Sequence, residues 1–561
     1  MLPAHLAPTR PGLVRRTHAV ATLAALAVAS ALAACTVHPG AGLAGRGGTS
    51  ASGDDAGDGA AVTRVADPYA PPALAAITES DLRRDLFALA GDSMRGREAG
   101  TLDEMRATVW VAERAREAGL EPAGDDGTYF QFWPMRRLRT SDASRVAIDG
   151  RPLTLWRDVV ILSPADSAVD LPLVYIGTST ERELAGVDLT GKAVAAMVIP
   201  PSNAPPASMS LSARRYAQQA VRQRSTFLTG RGAAAVVIIS DSIADTQFEA
   251  VGAGSARGTY GLDTARAPRA PIRRAPVIWV RRAMLDQIVP RGSASAAPGA
   301  GASGAGAAAA IPGARLTASI ASESFVYPSV NVVARVRGTD ARLRSEYVLY
   351  SGHQDHDGVR IAVEGDSIWN GADDNATVSV ALLAIGRAVS RRPAPRSALF
   401  VWHGAEERGL LGSRWYVEHP TVPKTSIVAV LNGDMIGRNH PDSASLLGSQ
   451  PPHRNSTTLV NMALQANTRI TKFAVDSSWD RPTHPEGWYF RSDHLPYARA
   501  GIPSLFFTTL LHPDYHTPRD EPSRIDITKL ARMTRWMYAT GWAVASTPDR
   551  PGVDAGFKLE R

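Results

Sequence analysis

At 561 residues the chain is too long for one ordinary domain of roughly 100–200 residues. Its 44% hydrophobic content can build large cores, and no stretch beyond the N-terminus holds the about 20 unbroken apolar residues of a spanning helix. The formal charge of +7 comes from scattered basic residues, mostly Arg, with no nucleic-acid motif, so no nucleic-acid partner is expected.

Arg10, Arg15 and Arg16 precede a short apolar, alanine-rich run from Ala19 to Ala34. A positive start, an apolar stretch and small residues before a cut site make a secretory signal. Leu32-Ala33-Ala34-Cys35 resembles a bacterial lipobox, in which the Cys becomes the lipidated first residue. Ordinary cleavage nearby, with Cys35 a spare thiol, is the alternative. Cys35 is the single Cys, so the sequence holds no internal disulfide and no Cys-based metal site. The expected product is exported and held at a membrane surface by a lipid anchor on Cys35. Thr36 follows the Cys, which resembles lipoproteins sorted to an outer membrane where the cell has one.

Residues 36–71 are rich in Gly, Ala, Ser and Asp at first and read as a flexible tether. Two helices follow. The first, Ser80 to Ala90, has Ser80 as an N-cap and apolar Leu82, Leu86 and Leu89. The second, Leu102 to Ala118, carries Val109, Val111 and Ala112 and stops at Gly119. Strands are expected at Leu171 to Gly177, Ala193 to Ile199 and Ala233 to Ile239. The stretches Val187-Asp188-Leu189-Thr190-Gly191-Lys192 and Gly232-Ala233-Ala234-Ala235-Val236-Val237-Ile238 resemble a protease-associated domain, a small β-rich insert of exported peptidases. Ser293 to Ala310 is a low-complexity loop of Gly, Ala and Ser with nothing to bury. From Val326 the pattern alternates: strands at Tyr347 to Ser351, Ser397 to Trp402, Ile427 to Leu431 and Ser504 to Phe507, and helices at Thr377 to Ser390 and from Arg408 to Tyr416. Such alternation predicts an α/β fold, a mostly parallel mixed sheet flanked by helices, with ligands beyond the C-terminal strand ends.

Five short motifs lie near those strand ends. In Ser351-Gly352-His353-Gln354-Asp355-His356, His353 can bind a metal and Asp355 can orient a ring or a base. In Asn370-Gly371-Ala372-Asp373-Asp374-Asn375, a carboxylate can bridge two metals or cap the following helix. In Gly404-Ala405-Glu406-Glu407-Arg408-Gly409-Leu410-Leu411-Gly412-Ser413, one Glu can ligate while the other takes a proton; the alternative is a solvated acidic pair at a helix start. Asp434, in Asn432-Gly433-Asp434-Met435-Ile436-Gly437, is a ligand or a turn residue. His516 lies in Asp514-Tyr515-His516-Thr517-Pro518, with Asp520 behind it, in a loop before the final helix. Imidazole and carboxylate ligands together suit zinc.

In this order the five motifs resemble the co-catalytic dizinc aminopeptidase family, which includes secreted bacterial aminopeptidases and, more distantly, glutamate carboxypeptidase. Arg95-Gly96-Arg97-Glu98-Ala99-Gly100-Thr101, Arg491-Ser492-Asp493-His494 and Gly501-Ile502-Pro503 resemble the same family. The resemblance implies two zinc ions. Asp374, rather than Asp373, would bridge them, His353 and Asp434 would complete one site, and Glu407 and His516 the other. It implies Glu406 as general base, Asp355 as an orienting carboxylate and Tyr515 as a stabiliser of the oxyanion. Thr377-Val378 departs from the Ser-Gly of many relatives and puts the local helix packing in question.

The implied organisation is a signal at 1–35, a tether at 36–71, the start of the peptidase domain at 72–143, the inserted domain at 144–324, the main peptidase part at 325–548 and a tail at 549–561. The implied function is removal of N-terminal residues from peptide substrates. A carboxypeptidase or dipeptidase on the same core is the nearest alternative, and a glutaminyl cyclase-like transferase is another. A non-catalytic binding protein would be expected to have broken ligands, and here they are intact. The preferred residue and the oligomeric state are not legible in the sequence.

Overall fold

The computed structural model describes residues 67–162, 164–208, 210–264, 275–289 and 309–559. The expected signal segment, Cys35 and most of the Ser293–Ala310 run lie outside the described residues. Helix α1 (Glu79–Leu89) is capped by Thr78, whose hydroxyl accepts the Asp81 N–H. Ser80, read as the cap, instead sits in the first turn, because Thr78 is the residue with extended backbone before it. Helix α2 (Leu102–Glu117) is capped by Thr101 and buries Ala107, Val111, Ala112 and Ala115. Val109, grouped with these in the sequence reading, is 44% exposed, since it lies about 200° around the helix from Val111.

Strand β1 (Phe130–Thr140) leads out of the main sheet. Beyond it stands a second sheet of eight strands, built from residues between Arg145 and Ile320. Its centre is parallel: Ser167–Tyr175, Ala193–Met197, Ala235–Ile239 and Val277–Val280 lie side by side. Helices α3 (Leu211–Gly230) and α4 (Phe248–Arg257) belong to this inserted lobe. Directly after α4, Thr259–Leu262 leaves the lobe and pairs antiparallel with β1 as an edge strand of the main sheet. Strand β2 (Ser322–Val336) returns along β1, from Ser322 opposite Thr140 to Val332 opposite Phe130.

The main sheet then completes itself. β2 pairs antiparallel with β4 (Ser397–His403), while β3 (Tyr347–His353) lies parallel between β4 and β5 (Ile427–Gly433). β6 (Ser504–Thr508) adds parallel to β5. The sheet is therefore mixed, with a parallel centre and antiparallel flanks. Helices α5 (Thr377–Arg391) and α7 (Ile527–Ser546), with α1 and α2, bury one face. Helix α6 (Leu411–Glu418), with Tyr497 and Ile502, covers the other.

This packing explains the Thr377-Val378 departure. A Cβ added at Gly352 on β3 would meet Val378 Cγ1 at 2.5 Å, and one at Gly433 on β5 would meet it at 3.0 Å. Val378 fills the space over both glycines, and the Thr377 hydroxyl donates to the Asp373 carbonyl at 2.8 Å. Helix α5 thereby locks against the two strands whose ends carry His353 and Asp434.

Candidate metal centre

The C-terminal ends of β3, β4 and β5 open at one edge of the sheet, the place where such sheets bind ligands. His353 ends β3, Glu406 and Glu407 follow β4 by a tight turn, and Asp434 follows β5. Ala405 adopts φ 54° in that turn, which swings both Glu side chains over the sheet edge. Asp374 enters from the loop before α5, and His516 from the loop before α7.

The side chains converge in two groups that share Asp374. Asp374 Oδ1 lies 3.3 Å from His353 Nε2, and Asp434 Oδ2 lies 3.6 Å from the same nitrogen. Asp374 Oδ2 lies 3.1 Å from His516 Nε2, which is 3.2 Å from Glu407 Oε1. Zinc bonds of ~2.0–2.2 Å set neighbouring donors of a tetrahedron about 3.3–3.6 Å apart. His353 Nε2, His516 Nε2 and Asp434 Oδ1 are buried, and none makes a hydrogen bond. Buried polar atoms left unsatisfied are costly. Donor atoms this close but out of line for hydrogen bonding fit metal ions. The helix-cap alternative for Asp373 and Asp374 is excluded, because Ala376 is the N-cap of α5 and no side chain caps it. Asp373 accepts the Gly437 N–H at 2.7 Å and faces His512 at 3.4 Å, turned away from the cluster.

Glu406 stands at the edge of the first group, its Oε2 3.9 Å from His353 Nε2. Burial, with the like charges of Glu407 and Asp434, pushes its carboxyl well above the usual range. Burial acts on Glu407 in the same direction, but the charge of His516 and the hydrogen bond with His356 hold it down at about 2. Asp355 accepts the backbone N–H groups of Glu406 at 3.0 Å and Glu407 at 3.4 Å, so it fixes the turn that carries both. The His353 ring itself is oriented by the Asp355 backbone carbonyl, 3.1 Å from Nδ1. The Tyr515 hydroxyl accepts from Arg491 at 3.0 Å, and burial raises its pKa, which leaves the phenol neutral and its proton free to donate.

Several residues at the site had no role in the sequence reading. His356 Nδ1 lies 3.0 Å from Glu407 Oε1, and its ring is edge-on to His516 at 5.3 Å. Asp357 Oδ2 lies 3.1 Å from His516 Nδ1 and orients that ring. His356 ends the His353 motif and Asp357 follows directly after it, which was the available signal. Asp493, in the quoted Arg491–His494 stretch, is fully buried, and burial raises it to about 7. Arg97 is fully buried and donates to the carbonyls of Gln354 (2.7 Å), Asn370 (2.7 Å), Gly371 (2.8 Å) and Leu89 (3.1 Å). It clamps together the loops bearing His353 and Asp374. Asp520 assists by accepting the N–H groups of Asp373 and Asp374.

The centre opens into a cleft of 450 Å³ lined by Asp357, Trp369, Arg491, Tyr515 and His516 on one side and by residues of α3 and α4 on the other. That volume is in the usual range of ligand sites, about 300–1,000 Å³.

The fold and the paired donor groups define the class: an α/β fold with an inserted lobe and a candidate metal centre at the strand ends. Residues 331–541 match the model of peptidase family M28. The fold matches an aminopeptidase from Aneurinibacillus sp. strain AM-1 with a TM-score of 0.51 at 18% identity, over 87% of this chain and 98% of that one. It also matches a zinc aminopeptidase from Bacillus subtilis with a TM-score of 0.51 at 17% identity, over 86% and 99%. In sequence the chain is 35% identical over 143 residues to leupeptin-inactivating enzyme 1 of Streptomyces exfoliatus, covering 25% of this chain and 29% of that protein. It is 29% identical over 188 residues to aminopeptidase YwaD of Bacillus subtilis, covering 32% and 39%. The chain thus spans less than half the length of these curated relatives.

Proposed function

We propose that this chain is a zinc-dependent exopeptidase that holds two zinc ions and removes residues from the N-termini of peptides. The observation that carries the reading is the shared Asp374 carboxylate, one oxygen facing His353 and the other facing His516 and Glu407. His353, Asp374 and Asp434 would hold one ion, and Asp374, Glu407 and His516 the other. Bound zinc supplies Lewis acidity, polarising the scissile carbonyl and lowering the pKa of the attacking water. Glu406 takes the proton of that water and returns it to the departing amine. Tyr515, neutral and aimed at the cleft, donates to the developing oxyanion. Attack at the N-terminus is supported by relatives named as aminopeptidases.

The test is release of 4-nitroaniline from a panel of aminoacyl anilides, free and N-acetylated, by protein lacking the signal segment. Cleavage of free-amine substrates alone, lost with a chelator and regained with zinc, is the expected result. Cleavage of N-blocked, C-terminally free dipeptides in its place would move the reading to the carboxypeptidase alternative.

The His356 imidazole is expected to hold the Glu407 carboxylate in its liganding orientation. His356→Ala should weaken the zinc held by Glu407 and His516 by about 10–100-fold, as loss of such a supporting bond typically does. Zinc competition against a chromophoric chelator reads this directly; two sites of unchanged affinity would remove His356 from that role.

The chain is also read as exported and anchored through Cys35. Among the described residues no helix is long and apolar enough to cross a membrane. Cys35→Ser is expected to move the protein from the membrane pellet to the soluble fraction. Persistence in the pellet would defeat the anchor.

A further inference from the structure

The cleft beside the metal centre is lined by arginines from three separate segments: Arg214 and Arg215 on α3 of the inserted lobe, Arg360 after Asp357, and Arg491 before the Ser504–Thr508 strand. Two carboxylates serve them. Glu486 accepts from Arg215 at 2.5 Å and from Arg491 at 3.2 Å. Asp357 pairs with Arg360 while also facing His516 at 3.1 Å and Arg408 at 3.5 Å. Among the described residues Arg214 forms no ion pair; it donates to the His516 carbonyl at 3.3 Å and lies over the Trp369 ring at 5.0 Å. Arg214 Nε, Arg215 Nη2 and Arg360 Nε are buried N–H groups with no acceptor.

A guanidinium has five donors in a planar fork, and leaving them buried and unmet is costly. A neighbouring cavity of 390 Å³ shares Arg360, Gly254, Gly258 and Thr259 with the cleft and adds Arg257 and Arg408. Those two share the Glu98 carboxylate, at 3.0 and 3.2 Å. The positive charge is also held in place. Arg214 rests on Trp369, and Arg491 lies over Trp488 at 4.6 Å while bonded to the Tyr515 hydroxyl. Fixed, under-compensated guanidiniums around a cleft form a receptor for a carboxylate, which accepts their N–H groups in parallel pairs.

We propose that this cleft binds a peptide carboxylate, so that Arg214, Arg215, Arg360 and Arg491 select substrates bearing a negative charge close to the scissile bond. The charge comes from an acidic side chain or from the free C-terminus of a short peptide. The proposal rests on the exopeptidase reading, since it places a peptide at the metal centre. It also gives the inserted lobe a part in substrate selection, because α3 contributes half of the selecting arginines.

The test is equilibrium binding, by titration calorimetry, to the full-length zinc-loaded Glu406→Gln protein, so that no turnover is needed. Leu-Ala against Leu-Ala-amide reads the C-terminal carboxylate. Leu-Glu-amide against Leu-Gln-amide reads the side chain. In at least one pair the acid is expected to bind at least about tenfold tighter. That preference should fall at least about fivefold with Arg215→Gln and with Arg360→Gln, and should shrink as salt is raised. Equal binding of acid and amide in both pairs overturns the proposal, as does a preference that both arginine variants leave intact. The anilide assay settles the exopeptidase reading separately: binding that follows the carboxylate without N-terminal cleavage would keep the cleft assignment and sink the other.

Discussion

Glu406→Gln is expected to lower kcat by about 10²–10⁴-fold, the usual contribution of a positioned general base, with both zinc sites still filled. Gln reproduces the shape and one acceptor oxygen of Glu406 but can neither take a proton from water nor deliver one to an amine. Glu406 stands close enough to His353 and Asp434 to join a metal-donor group, so zinc content is the measurement that distinguishes a base from a ligand. Asp374 and Asp434 approach His353 Nε2 to 3.3 and 3.6 Å, whereas Glu406 stands at 3.9 Å at the margin of the group. Its side chain keeps 10% exposure, while those of His353 and Asp355 keep none. Zinc content measured by atomic spectroscopy should therefore stay at the wild-type value. KM should change little, because a base that acts during bond breaking contributes chiefly to the transition state. A variant that loses zinc in step with activity would make Glu406 a ligand. A variant of near wild-type kcat would remove it from the chemistry.

The parts of this centre that could be read in the sequence are those set by local rules. Apolar runs ending in short polar motifs gave β3, β4 and β5, and strand ends at one sheet edge follow from the parallel arrangement. The roles of Asp373 and Asp374 could not be separated by local rules, since either can cap a helix; the resemblance alone favoured Asp374. In the structure the difference lies in distant partners: Asp373 turns to the Gly437 N–H, 64 residues on. His356 closes the His353 motif and Asp357 is the next residue. Their partners, Glu407 and His516, come from two other loops, which no periodicity connects. Thr259–Leu262 was equally hidden: a short strand with Gly261 inside it becomes the edge of a sheet whose next strand was passed more than a hundred residues earlier. The arginines of the cleft looked scattered along the chain because they gather only when α3 of the inserted lobe faces the metal loops.

Arg97 shows how far such long-range pairing controls the centre, and Arg97→Ala should carry the largest structural effect. The guanidinium is 0% exposed and gives four hydrogen bonds to backbone carbonyls, three of them to residues 257, 273 and 274 positions away. Burial lowers its pKa to about 10, against the opposing pull of Asp355, Asp520, Asp374 and Glu407, so it stays charged at neutral pH. Truncation leaves the carbonyls of Gln354, Asn370 and Gly371 unpaired in a dry interior, removes the cation balancing those carboxylates, and opens a cavity. With each unsatisfied buried group costing about 1–3 kcal/mol, a loss of about 4 kcal/mol or more is expected, against a total stability of about 5–15 kcal/mol. Arg97→Lys keeps the charge but has one nitrogen in place of a fork, so it can reach only part of the set and should recover only part of the loss. Thermal unfolding of the zinc-free proteins reads the structural effect, and zinc affinity reads the displacement of the two loops that the clamp joins. The order wild type, Lys, Ala in both measurements is the expected result. An Arg97→Ala protein as stable as wild type, with undiminished zinc affinity, would mean that His353 and Asp374 are held by their own strands and helix, without the clamp.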